Sequence, residues 1–369
     1  MKKKMMAVLL TAAMSAMMMT GCGSTAETGT PSTDVQTTEE ADSAQAAAEA
    51  DTQVAAAAGT TYKVGIVQYV DDASLNQIEQ AIEEELTAKG SELGVTFDFA
   101  DYTYNGQADA STLNQIATDL IAENVDIIIP IATPTAMIMQ AATEDNQIPV
   151  VFSAVSDPLT AGLVDSMDAP GSNITGTSDA FNTDTLMDLM FLANPDIKKV
   201  GLLYNKSEDA STAAIAAAKK YCDDKGIAYV EKTGTNNDEV SLAADALVAS
   251  GVDAVFTPTD NTIMTAELAI YEKFADAGIP HYAGADSFAL NGAFCGFGVN
   301  YVNLGTATAD MAVDILVNGA APASTPVQTM SNGIATVNTD VATMLMLDYS
   351  KFTDVCDSVK EIKTAEEFE

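Results

Sequence analysis

The stretch VDIIIPIATPTA, residues 125–136, decides the fold of this chain. Up to Ile131 it is an almost continuous apolar run, which is typical of a parallel strand covered on both faces. Thr133 follows at a helix N-cap position, and Pro134 suits the first helical turn because its φ is fixed and it has no N–H to leave unpaired. The N–H group of Thr135 would then point outward, where the helix dipole favours an anion. An ordinary strand-to-helix junction is the alternative interpretation.

The same arrangement occurs twice along the chain. Each copy opens with a Lys-Val-Gly strand and an acidic Asp-Ala-Ser segment, and each later contains a strand that begins with Val-Asp. The first copy has these motifs at 63–67, 71–74 and 125–131, and the second has them at 199–203, 208–211 and 252–258. Repetition of one plan predicts two lobes of similar construction.

Two strand ends in these copies carry polar residues. IPVVFSAVSD at 148–157 and IPHYAGADS at 279–287 both begin with Ile-Pro and end in an acidic segment. Open α/β sheets bind ligands beyond the carboxyl ends of their strands. We therefore expect two doubly wound parallel-sheet lobes of α/β class, with a ligand cleft between them.

Composition limits the kinds of partner. The formal net charge is −37, and all 16 basic residues are lysine. Such an acidic surface disfavours nucleic acid as a partner. Without arginine, a bound carboxylate must be held by lysine, hydroxyls or backbone N–H groups.

The amino-terminal region differs from the rest. Residues 1–22 combine three lysines, an apolar run and small residues before Cys22, which predicts a secretory signal. The sequence MTGC at 19–22 resembles the lipobox of bacterial lipoproteins, so we expect lipid attachment to Cys22; a plain secreted protein is the alternative. Residues 23–60 are poor in aromatic and branched apolar residues and are predicted to form a disordered tether.

The rest of the chain, roughly 310 residues, is long enough for two lobes. We assign residues 61–180 and 285–318 to the N-terminal lobe, and 181–284 and 319–369 to the C-terminal lobe. A chain that crosses several times forms a multi-stranded hinge, so opening and closing is the expected motion.

Metals, disulfides and cofactors are not predicted. Three widely spaced cysteines follow Cys22, and the chain has one histidine, His281, which is interpreted as structural because it begins a strand. No phosphate-binding loop, dinucleotide fingerprint or nucleophile elbow is present in the sequence, and no second histidine could form a relay. Catalysis by a pair of aspartates is the remaining enzymatic alternative, and we expect that the protein is not an enzyme.

Several separated motifs then resemble a known family. IATPTA, PVVFSAVSDP, PGSNITGTSD, VGLLYN and FTPTDNT are similar to motifs of ABC-transporter substrate-binding lipoproteins with the type I periplasmic-binding-protein fold, in the branch for tryptophan and tyrosine uptake. The similarity spans residues 63–328. Ser172 replaces a glycine of the family pattern, and QYVDD at 68–72 departs from the commoner QIVEH. The resemblance implies an extracytoplasmic, membrane-anchored protein that captures a small solute and delivers it to permease subunits; we expect a monomer.

An amino acid ligand would need donors for its carboxylate and acceptors for its ammonium, because burying an unpaired charge is costly. The start of the Pro134 helix supplies the donors, with the hydroxyls of Thr133 and Thr135. Aspartates at strand ends supply the acceptors, and serines are further contacts: Asp157, Asp260, Asp286, Ser153 and Ser156.

These residues have structural alternatives. Asp157 before Pro158 is also typical of a turn, and Asp260-Asn261 is typical of a helix cap. Asp260 and Asn261 could equally form the fork that sugars prefer, so a sugar or nucleoside ligand, or a ligand-sensing receptor, stays open. For an aromatic ligand, Tyr69 and Tyr204 end equivalent strands of the two copies and are the expected ring contacts.

Overall fold

The computed structural model describes residues 59–365 of the chain. The predicted signal, Cys22 and nearly all of the predicted tether at 23–60 lie outside these residues. Two sheets are present, and each is the centre of one lobe.

The first sheet is parallel throughout. Its spatial order is β12-β6-β5-β4-β1, and β2 and β3 both pair with β1, on its two halves. Its strands are β1 (Thr61–Gln68), β2 (Thr96–Asp98), β3 (Thr103–Asn105), β4 (Ile127–Ile131), β5 (Val150–Phe152), β6 (Ile174–Ser178) and β12 (Gln328–Thr329). All five residues of β4 are buried, so the prediction of a covered central strand from the apolar run is confirmed.

The second sheet has the order β14-β13-β11-β10-β9-β7-β8. Its pairs are parallel except for β11 with β13, which is antiparallel. Its strands are β7 (Lys199–Tyr204), β8 (Ala228–Thr233), β9 (Ala254–Thr257), β10 (His281–Ala283), β11 (Cys295–Val299), β13 (Asn332–Asn338) and β14 (Ser358–Ile362).

Helices connect the strands and pack on the sheets. They are α1 (Ala73–Leu93), α2 (Ala110–Ala122), α3 (Thr133–Thr143), α4 (Thr183–Ala193), α5 (Asp209–Lys225), α6 (Asn237–Ala249), α7 (Asn261–Asp276), α8 (Asp286–Leu290), α9 (Tyr301–Asn318) and α10 (Thr339–Leu345). Polar residues cap many of them; Asp72, for example, accepts from the N–H groups of Ser74 and Leu75 at the start of α1.

Within residues 59–365 the chain passes between the lobes three times: from β6 to α4, from β11 to α9 and from β12 to β13. The predicted multi-stranded connection is therefore present. Helix α9 returns to the first lobe, as expected, and packs against α1. The contact is close at Gly305, where a Cβ atom would lie 2.6 Å from the backbone oxygen of Ile78.

Two predicted lobe boundaries are corrected by the strand pairing. Residues 285–299, assigned to the N-terminal lobe, contain α8 and β11, and β11 pairs with β10 and β13 of the second sheet. Residues 328–329, assigned to the C-terminal lobe, form β12, which pairs with β6 of the first sheet. Local sequence does not specify the sheet that a short strand joins, because pairing is decided by distant partners.

His281 is buried on β10 and is hydrogen-bonded to Glu267 at 2.9 Å and to Thr257 at 2.8 Å. Its role in packing agrees with the structural interpretation of this residue. Among residues 59–365, none of the helices is long and apolar enough to cross a membrane.

Candidate functional site

A small cavity lies between the lobes, where helix starts and strand ends from both sheets meet. Its volume is about 20 Å³, which is room for one water molecule. A larger ligand therefore requires the lobes to separate or side chains to move. The cavity is lined by Ser74, Leu75, Ala132, Thr133, Ala154, Ser156, Asp179, Ala210, Thr259, Asn261, Met264, Ala285 and Tyr301.

The start of α3 forms the wall with hydrogen-bond donors. The helix begins at Thr133, and Ala132 takes the N-cap position, so the prediction of Thr133 as N-cap is wrong by one residue. The first backbone hydrogen bond of the helix runs from the N–H of Ala136 to the carbonyl oxygen of Ala132, at 3.1 Å. The earlier N–H groups of the helix lie outside its own hydrogen-bond ladder. The hydroxyl of Thr133 is buried and has no hydrogen-bond partner among the described residues.

The backbone is strained where it enters this wall. Ala132 has φ 80° and ψ 152°, a region that is normally occupied by glycine. Ala154, which follows β5, has φ 55° and also lines the cavity. Such strain tends to concentrate at ligand clamps, and the surrounding fold must hold it in place.

A group of buried carboxyls lies at the opposite edge of the cavity, and Asp179 among them lines it. Burial raises the pKa of Asp179 to about 6 and the pKa of Asp72 to about 7. The pKa of Asp286 is also raised by burial, although hydrogen bonds from Ser74 and Gln77 oppose the shift. The hydroxyl of Tyr301 lies near all three carboxyls. Burial raises the pKa of this hydroxyl, and the charges of the three carboxylates raise it further. This group of Asp72, Asp179, Asp286 and Tyr301 is called the acidic wall below.

A second pair of buried carboxyls lies behind the C-terminal side of the cavity. Glu208 accepts from the backbone N–H of Asn261 at 2.8 Å and also from its side chain. Asp260 caps α7 by accepting from the N–H of Ile263, and its other oxygen accepts from Ser211 at 2.6 Å. Burial and the charge of Asp260 raise the pKa of Glu208. These contacts hold the start of α7 against the start of α5.

Hydrogen bonds join the lobes at and beside the cavity. The hydroxyls of Ser156 in the first lobe and Thr259 in the second lie 2.8 Å apart, while Ser156 also donates to Asp179 of its own lobe at 2.9 Å. Asp286 accepts from the hydroxyl of Ser74 at 2.5 Å and from the amide of Gln77 at 3.3 Å. The lobes are therefore in a closed arrangement.

Some predicted site residues do meet at this cavity. Thr133, Ser156 and Asn261 line it, and Asp286 belongs to the acidic wall at its edge. Tyr69 is half-buried, and the charges of Glu208 and Asp260 add to burial in raising the pKa of its hydroxyl, so its side chain faces the second lobe.

Other predicted residues do not line this small cavity, although Asp157 lines the adjoining cleft of about 530 Å³. Both oxygens of Asp157 accept from Thr160, so its carboxyl closes a turn, as the structural alternative proposed. Ser153 is fully buried and bonds to Thr308 at 2.9 Å. The hydroxyl of Tyr204 donates to Glu231 at 2.7 Å, away from the cavity. Asp260 has its oxygens occupied by the contacts described above, and Thr135 is buried in α3 without lining the cavity.

The sequence interpretation missed six residues at or beside the cavity: Asp72, Ser74, Asp179, Glu208, Thr259 and Tyr301. A signal for most of them was present. Asp72, Ser74 and Glu208 lie in the repeated acidic segments at 71–74 and 208–211, Asp179 ends PGSNITGTSD, and Thr259 belongs to FTPTDNT. Tyr301 had no such signal, since its position depends on where the chain crosses between lobes.

Comparison with known proteins agrees with this architecture. The family described as ABC transporter substrate binding protein matches residues 63–355. The tyrosine-binding protein of Clostridioides difficile (strain R20291) is 33% identical over 256 residues, which are 69% of this chain and 72% of the relative.

Two solved structures are also similar. An ABC domain in complex with L-Trp from Streptococcus pneumonia has a TM-score of 0.74 at 29% identity, over 81% of this chain and 100% of that one. The ligand-free, open structure of a substrate-binding protein with adhesive properties from Clostridium difficile has a TM-score of 0.63 at 32% identity, over 82% and 100%. The TM-score is therefore higher for the tryptophan complex than for the ligand-free, open structure. It has the two-lobed α/β fold of periplasmic binding proteins and belongs to the ABC transporter substrate-binding proteins, a family of solute-binding proteins that are not enzymes.

Proposed function

We propose that this protein captures an aromatic amino acid, tryptophan, tyrosine or phenylalanine, between its lobes and delivers it to the permease of an ABC importer. The observation that carries the proposal is the buried, unpartnered hydroxyl of Thr133 beside the open start of α3. A carboxylate at this position would receive hydrogen bonds from that hydroxyl and from backbone N–H groups, with the helix dipole in favour.

Asp179, the carboxyl of the acidic wall that lines the cavity, supports the other half of a zwitterion. An ammonium group beside Asp179 would be attracted by carboxyls that burial otherwise keeps partly protonated. Because a buried charge needs a partner, a ligand with both charges fits this cavity better than one with a single charge. The relatives that bind tyrosine and tryptophan support an aromatic side chain.

Family membership implies a position outside the cytoplasm. We further propose that the mature protein is a monomer, anchored by a lipid on Cys22, with residues 23–60 as a spacer between the membrane and the lobes. Mass spectrometry of the mature amino-terminal peptide would test this, since a plain secreted protein would carry no acyl chain on Cys22.

Isothermal titration with the purified protein tests the ligand class. L-tryptophan, L-tyrosine and L-phenylalanine are compared with tyramine, which lacks the carboxylate, and with 3-(4-hydroxyphenyl)propionate, which lacks the ammonium. We expect heat from the amino acids and much weaker binding of both analogues. Binding of myo-inositol or uridine without any response to the amino acids would show that the proposal is wrong.

The substitution Thr133→Val tests the donor wall, because it removes a hydroxyl with little change in volume. Loss of one hydrogen bond to a carboxylate should weaken binding roughly tenfold, or about 1.5 kcal/mol. Thr118→Val on the exposed side of α2 is the control, since Thr118 bonds only within its own helix. Equal affinity of the Thr133 variant and the wild type would remove Thr133 from the site.

A further inference from the structure

Asp286 occupies an unusual place at the boundary between the lobes. It is the first residue of α8 in the second lobe, yet both of its carboxylate oxygens accept from side chains of α1 in the first lobe. The donors are Ser74 and Gln77, one helical turn apart on the same face of α1. The hydroxyl of Ser74 in turn accepts from the backbone N–H of Ser287, at 3.1 Å.

Nothing in these contacts requires a ligand. The oxygens of Asp286 are already filled by partners from the opposite lobe, and neither Asp286 nor Gln77 lines the cavity. Ser74 does line the cavity, so it lies between these interlobe contacts and the proposed ligand position. We infer that Gln77 and Asp286, with Ser74, form an interlobe latch that sets ligand affinity by setting the balance between the open and closed lobes.

The latch acts on affinity through population. If a ligand binds only the closed form, its apparent affinity is proportional to the fraction of ligand-free protein that is closed. A smaller closed fraction therefore gives weaker binding. A change at the latch should therefore alter affinity for every ligand by the same factor. A residue that contacts the ligand would instead alter the discrimination between ligands. The latch thus makes Gln77 a positioning residue for the proposed amino acid binding, on which this part of the inference rests.

Gln77 allows charge changes of both signs at one position outside the cavity. Gln77→Glu places a second carboxylate against Asp286 and should favour the open form, whereas Gln77→Lys places an ammonium there and should favour the closed form. Matched controls are Gln80→Glu and Gln80→Lys, one turn further along α1, where the side chain is exposed and bonds to Glu84.

Two measurements are made on the full-length variants. The pH is about 8, so that the carboxyl introduced by Gln77→Glu and the carboxyl of Asp286 do not share a proton. Small-angle X-ray scattering of the ligand-free proteins reports closure through the radius of gyration. Titration with L-tyrosine reports affinity. We expect Gln77→Glu to enlarge the radius and weaken binding roughly tenfold, Gln77→Lys to do neither, and both Gln80 variants to match the wild type.

The outcomes are distinct. If both Gln77 variants keep the wild-type radius and affinity, the latch is overturned. It is also overturned if affinity changes while the ligand-free radius does not, because that result would place Gln77 on the ligand. If the radius responds as expected but no amino acid binds any variant, the latch stands and the proposed function fails.

Discussion

Asp72 should make the stability of the folded protein fall as pH rises. Its carboxyl caps α1 by accepting from the N–H groups of Ser74 and Leu75, yet burial raises its pKa from 3.8 to about 7. Between these two values the folded protein holds a proton that the unfolded chain has released. Stability is therefore greatest below the unfolded pKa and is lost progressively until the pH exceeds about 7.

The size of the effect follows from the two pKa values. A difference of about three corresponds to about 4 kcal/mol in total, and about 2 to 3 kcal/mol of it falls between about pH 5 and about pH 8. Asp72→Asn removes the titration but keeps an oxygen that can accept from the same two N–H groups, since asparagine is as good an N-cap as aspartate.

Urea unfolding followed by circular dichroism measures the free energy of unfolding of wild type and variant at both pH values. We expect the wild type to lose about 2 to 3 kcal/mol more than Asp72→Asn on going from the lower to the higher pH. Asp71→Asn is the control, because Asp71 is exposed and its carboxyl bonds to Asn76. A difference between wild type and Asp72→Asn that is the same at both pH values would refute the reasoning.

Two further substitutions test the backbone and the helix packing. Ala132→Gly should leave the melting temperature unchanged or raise it, because relief of about 1–3 kcal/mol of backbone strain offsets the loss of packing and the greater flexibility of glycine. Ala136→Gly, in the buried part of α3, is the control and should lower the melting temperature. Equal losses in the two variants would mean that Ala132 is unstrained. Gly305→Ala should lower the free energy of unfolding by about 1–2 kcal/mol, because the new methyl group meets α1; a gain in urea unfolding, as helix propensity alone predicts, would contradict the close packing.

The fold was predictable because its signals are local and repeated. The apolar run of β4, the two Lys-Val-Gly strands and the alternation with helices each specify an element, and their recurrence specifies two lobes. The lobe to which β11 and β12 belong was not predictable in this way. Those strands are short, and their position depends on hydrogen bonds to strands far away in the sequence.

Sequence motifs located the helix starts and strand ends that line the candidate site, but not the direction of each side chain. The start of α3 could be placed from Thr133 and Pro134 alone. The direction of an acidic side chain at a strand end could not, because capping, turn formation and ligand contact favour the same residue types. Asp157 therefore proved to close a turn, while Asp179, which the sequence marks equally well, faces the cavity.

The second passage of the chain between the lobes, from β11 to α9, has a consequence for how the protein reaches its native state. Helix α9, which covers the face of α1, and β12, which completes the sheet edge, come from residues 301–329, after five of the seven strands of the second sheet. Synthesis starts at the amino terminus, so one face of α1 has no helix to cover it at first. That face stays exposed to solvent until more than two hundred further residues have been made. A fragment that stops at β6 would lack α9 and β12, which pack on α1 and on β6. The two lobes are therefore expected to fold as one cooperative unit and not one after the other.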